Sequence, residues 1–133
     1  MATAVWDVPP KTPMLSLPMG VMQNMFQPPP PPQGTPNPFA LADTSILEQG
    51  LAEAGFTDIK TERMTVMVEF PSAMAYTDFL RDIAPPVRAM LANQPEEKQR
   101  EAWAAIANAA AQFSDGSGVV RMPNEAILVA ARR

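Results

Sequence analysis

Apolar residues fall at two periods along this chain, and the alternation between them predicts the elements. Thr3, Ala4, Val5 and Trp6 form a short β-prone run, halted by Asp7 and the pair Pro9-Pro10. Residues 13–26 are rich in methionine and carry Pro13 and Pro18. A proline suits a first helical turn but not a helix interior, so the pattern predicts a short helix from Pro18 to Phe26. Met19, Met22, Met25 and Phe26 share one face of it. Asp43 is placed to cap a second helix, with Leu47, Leu51 and Ala54 inward and Gly55 as the left-handed stop. From Asp58 to Phe70 the period becomes two: Met64, Val66, Val68 and Phe70 alternate with Thr65, Met67 and Glu69. Ile59 has the opposite parity, which predicts a bulge or a change of buried face between Lys60 and Arg63.

The helical period then returns. Ser72 opens a helix carrying Tyr76, Phe79, Leu80 and Ile83, and Pro85-Pro86 starts a short one carrying Val87, Met90 and Leu91. Pro95 with Glu96 and Glu97 marks a strong start, because proline fits the first turn and acids favour its positive end. That helix runs to Phe113 and buries Trp103, Ile106, Ala110 and Phe113. After the turn Asp115–Gly118, Val119–Met122 and Glu125–Ala131 form two strands, or one interrupted at Pro123. The unbroken apolar run at 126–131 predicts a strand covered on both faces. The expected fold is α/β: a small partial sheet of about three strands with helices packed on it.

Composition narrows the chemistry. The chain has no histidine and no cysteine, which removes the commonest general base, thiol nucleophiles, disulfides and the usual zinc ligands. Any chemistry of its own rests on carboxylates, Lys, Arg or the single Tyr76. A net charge of −4 without a basic cluster argues against a nucleic-acid partner. The longest apolar stretch is too short for a membrane span, and no secretory leader pattern opens the sequence, so a cytoplasmic protein is expected.

Gln27–Phe39 is different in kind. It holds five consecutive prolines, Pro28–Pro32, then Gly34, Pro36 and Pro38. Such a segment is extended and stiff, and serves either as a connector or as a ligand for a polyproline-reading partner.

Three phrases carry a resemblance. They are TAVWD with the Pro-rich stretch after it, ILEQGLAEAGFTDIKTERM, and NEAILVAARR. In this order they resemble the C-terminal half of class I S-adenosylmethionine-dependent methyltransferases, nearest the broad ubiquinone/menaquinone-biosynthesis type. The resemblance implies a Rossmann-like fragment whose last strand is antiparallel. It implies one acceptor-side domain over residues 1–133, with 9–40 as a Pro/Met-rich lid or connector. It also makes the strand at 3–6 a central strand that here has become an edge. The family holds its methyl donor on a Gly-rich turn after the first strand and an acidic residue ending the second. The six glycines of this chain form no such unit. The implication is that no cofactor is bound by this chain alone. S-adenosylmethionine enters only if a missing N-terminal half is supplied.

Candidate substrate-binding residues follow, each with a packing alternative. Met19, Met22 and Phe26 either line an apolar acceptor pocket or pack a lid helix on the core. Tyr76 either donates a hydrogen bond to an acceptor or is a core tyrosine with its hydroxyl at the rim. Arg81, with Asp78, Asp82 and Arg88, either orients a polar acceptor or belongs to a solvated ion-pair surface. Trp6 shapes an acceptor cavity or packs. No catalytic, cofactor-binding or metal-binding residue is assigned. Two functions remain open: the acceptor-side and lid portion of a methyltransferase-like protein, inactive alone, or a non-catalytic dimeric module for an apolar ligand or partner protein. A homodimer, or pairing with the missing half, is expected, because a central strand made into an edge leaves backbone groups unpaired.

Overall fold

The computed structural model describes every residue, Met1–Arg133. Strands β1 (Ala2–Trp6), β2 (Thr57–Phe70) and β3 (Val120–Arg132) form one open sheet in the order β1-β3-β2. The last strand therefore lies in the middle. It runs antiparallel to β1, with Ala2 opposite Ala130 and Trp6 opposite Ala126. Thr57 bonds to the carbonyl of Arg132, and Glu69 pairs with Arg121, so β3 is antiparallel to β2 as well. The helices are α1 (Pro13–Phe26), α2 (Thr44–Glu53), α3 (Ala73–Ile83), α4 (Pro85–Ala92) and α5 (Glu96–Ala111). This is an α/β architecture with a three-stranded open antiparallel sheet and five helices, the fold class that the sequence predicts.

Residues group into two compact units. The first comprises Met1–Pro13, Pro31–Met67 and Pro123–Arg133. Its core is Leu51 of α2 with Ile127, Val129 and Ala131 of β3, joined by Val5, Leu47, Phe56 and Ile59. Asp43 caps α2 by accepting from the Ser45 amide at 3.0 Å. Gly55 ends it at φ 86°, a conformation that only glycine adopts without strain. Ala54, expected inward, is exposed, because it already lies past the last helical turn.

The second unit comprises Met14–Pro30 and Val68–Met122. Ser72 caps α3 by accepting from the Ala75 amide. Helices α3, α4 and α5 pack together, burying Tyr76, Leu80, Val87, Leu91, Ala102, Ile106 and Ala110. Phe70 stacks edge-on against Tyr76, with ring centroids 5.1 Å apart. Ile83 is 45% exposed, although its spacing places it on the apolar face, because α3 ends there.

The first helix departs from the expectation. It begins at Pro13, five residues before Pro18, so Pro18 sits in its interior. The buried stripe is accordingly Met14, Pro18 and Met22, four residues apart, rather than Met19, Met22, Met25 and Phe26. Met19 is 51% exposed. Pro18 has no amide proton to give to the Met14 carbonyl four residues back. That carbonyl instead accepts the buried Tyr76 hydroxyl at 2.6 Å. A side chain from α3 thus supplies the hydrogen bond that an interior proline removes, and the helix survives its proline.

Two features of the strands also sharpen the sequence reading. In β2, Ile59 and Thr61 are partly covered, then Val66, Val68 and Phe70, so the covered parity switches between 61 and 66. The local backbone irregularity falls earlier, at Asp58, with φ 52°. Met64, expected among the covered residues, lies within the switch and is 48% exposed. In β3, Met122, Asn124 and Ala126 give way to Ile127, Val129 and Ala131, the same change of parity. Pro123 does not interrupt β3. Odd residues of β3 turn their backbone groups toward β1, as the Asp7 amide to Glu125 carbonyl and Ala131 amide to Met1 carbonyl bonds show. Pro123 shares that parity but lies beyond the end of β1, where no strand asks it for a proton.

Candidate functional site

In the first unit the antiparallel register decides which groups of β1 are free. Met1 exchanges backbone bonds with Ala131, and Asp7 donates its amide to the Glu125 carbonyl, so odd residues face β3. The amides and carbonyls of Ala2, Ala4 and Trp6 therefore point to the outer edge of the sheet. No charged side chain, proline or bulge protects Ala2–Trp6. The side chains of Ala2 and Ala4 also lie on the sheet face opposite Val5 and the α2 core, and both are exposed. With Leu128, Ala130, Lys60 and Glu62 they line a shallow depression of about 570 Å³. Edge and bare face meet on β1.

At the carboxyl end of β1 lies a compact polar cluster that the sequence reading passed over, taking Asp7 only as a strand stop. The Asp7 side chain is 2% exposed. Its carboxylate accepts from the Val8 amide at 2.7 Å and from Arg63 Nε at 2.9 Å, with Lys11 Nζ 3.6 Å away. Lys11 also reaches Glu125 at 3.3 Å. Thr12, fully buried, donates its hydroxyl to the Asp7 carbonyl. Burial pushes the Asp7 carboxyl up. The Val8 and Arg63 hydrogen bonds and the charges of Lys11 and Arg63 outweigh it and hold the group below its ordinary value. Asp7 is thus a fixed anion, well suited to orient Arg63 and poorly suited to accept a proton near neutrality. The signal for it in the sequence is weak: an acid ending a strand, with its cations four and fifty-six residues on.

The sequence-predicted residues are divided between the units. Trp6 is half-buried on β1 in the first. Met19, Met22, Phe26, Tyr76 and Arg81 are in the second. There Met22 is buried, Phe26 half-buried and Met19 exposed. Tyr76 is fully buried rather than at a rim, its hydroxyl engaged by Met14, and burial raises its phenol well above the usual range. Arg81 is exposed, paired with Asp78 at 2.9 Å, and its guanidinium lies 4.8 Å from the ring centre of Trp103. No group of three or more acidic residues could hold a metal ion. No helix is long and apolar enough to cross a membrane.

No protein-family model matches the sequence, and no curated protein matches it either.

Proposed function

We propose that this chain is the acceptor-side and lid portion of a methyltransferase-like protein, working on an apolar or aromatic small molecule in the cytoplasm. The observation that carries the reading is the strand order. The three resembling phrases imply an antiparallel last strand, and β3 runs antiparallel to β1, lying between β1 and β2. The free edge of β1 and the bare face beside it supply the place where the remainder of such a sheet would attach. Methyl transfer is chiefly a matter of holding donor and acceptor in line, so it asks for no histidine or cysteine. The Met-rich helix α1 contributes adaptable apolar surface. The donor site belongs to the missing half.

Calorimetric titration of the isolated chain with S-adenosylmethionine is expected to show no binding heat. Micromolar affinity would overturn the proposed division of labour. Reading the coding DNA immediately upstream supplies the positive arm, with an in-frame strand, Gly-rich turn and helix expected.

The second reading is a non-catalytic dimeric module for an apolar ligand or partner protein. The unguarded edge of β1 favours it, because an uncharged strand of this kind also pairs with its own copy. A translation start at Met1 with no donor-binding region upstream would select this reading over the first.

A further inference from the structure

The stretch between α1 and α2 is long, and its chemistry is uniform. From Thr12 to Ala42 there is no charged side chain. Within it Pro28–Pro32 form an unbroken run, with Pro28 half-buried and Pro29–Pro32 exposed. The run is bounded at both ends. Gln27 adopts φ 44° and closes α1 with a bond from its amide to the Gln23 carbonyl. At the other end the Thr35 amide and hydroxyl both donate to the Pro32 carbonyl, at 3.1 and 2.7 Å. From Pro28 to Pro32 no strand, helix or turn takes up the backbone. The carbonyls of Pro29, Pro30 and Pro31 accept no hydrogen bond within the protein.

Five prolines span about 15 Å as a left-handed polyproline helix, nearly two turns at three residues each. Proline fixes φ, so the conformation exists before any partner arrives and little chain entropy is lost on binding. Exposed rings and open carbonyls are the two features that a polyproline-reading groove engages.

We propose that Pro28–Pro32 is a docking segment for a protein module with a shallow groove of aromatic side chains. In that groove rings pack between prolines while tryptophan or tyrosine groups donate to the free carbonyls. The lack of any cation near the run selects among such modules. It excludes those that need an arginine or lysine beside the prolines to meet an acidic pocket. The partner reads ring shape and carbonyl position. The proposal stands on the segment itself and does not depend on the methyltransferase reading.

The test uses the whole chain immobilised, with three purified probes: a WW domain, an EVH1 domain and, as the charge-requiring control, an SH3 domain. The expected result is saturable binding of the WW or EVH1 domain with a dissociation constant below about 1 mM. The SH3 domain should bind at least tenfold more weakly. The variant Pro30→Ala with Pro31→Ala should lose at least tenfold in affinity while keeping the parent circular dichroism spectrum. A second variant, Gln33→Arg, leaves the rings untouched and should raise SH3 binding without improving the others. No binding by either uncharged-groove probe, tighter binding by SH3 to the parent chain, or binding indifferent to the proline substitutions would each overturn the proposal.

Discussion

Replacing Tyr76 by phenylalanine is the sharpest probe of how α1 tolerates Pro18. The substitution removes one hydroxyl from a fully buried ring and with it the 2.6 Å bond to the Met14 carbonyl. A neutral hydrogen bond contributes about 1 kcal/mol net, and a buried acceptor deprived of its donor costs about 1–3 kcal/mol. A loss of about 1–2 kcal/mol is therefore expected for Tyr76→Phe. With a urea slope of about 1–2 kcal/mol per molar, the midpoint falls by roughly 1 M. That figure alone would not show why the bond exists. Pro18 cannot serve the Met14 carbonyl, so Tyr76 does. Pro18→Ala restores an amide donor at that position. In its background, Tyr76→Phe should cost less, by about 0.5–1 kcal/mol, since the helix then supplies its own bond. The assay is a double-mutant cycle on the four proteins, by urea unfolding followed at 222 nm. Additivity within about 0.3 kcal/mol would refute the compensation.

Other outcomes follow from the first unit. Asp7→Asn should lower stability by about 1–3 kcal/mol at neutral pH, through loss of a charge-assisted bond to Arg63. The folded Asp7 carboxyl is held below its unfolded value, so its contribution is present above that value and disappears as pH falls through the folded one. The parent chain should thus lose stability below about pH 4 more steeply than Asp7→Asn; parallel acid limbs in thermal melts would contradict the clamp. Ala4→Lys places a charge on the unguarded edge, at an exposed position. Light scattering at micromolar concentration should find the parent chain self-associated and the variant monomeric. A monomeric parent would remove the case for an adhesive edge.

Most of the architecture was legible where one period dominated. The Asp43 and Ser72 caps, the Gly55 stop, the long alternation at 58–70 and the change of buried face within it are all local, and the structure places them close to expectation. What escaped was set by partners far along the chain. Pro18 reads as a helix start by propensity, and only a tyrosine fifty-eight residues later makes an interior proline tolerable. Pro123 reads as a break between strands. It is harmless because β1 ends before reaching it, a matter of register that no local pattern encodes. Asp7 reads as a stop signal, whereas it is buried and bonded to Arg63, fifty-six residues on. Of the predicted site residues, the sequence could rank Met22 and Tyr76 as apolar but could not tell packed from accessible.

The placement of β3 has a consequence for how the chain acquires its shape. Both flanking strands precede it in sequence, and its end meets Met1 across a separation of 130 residues. Neither β1 nor β2 can pair with β3 until that later segment has been made, so the edge that each offers to β3 waits for it. Such a topology requires a long loop closure before the β1–β3 pairing can form, and it favours slow folding.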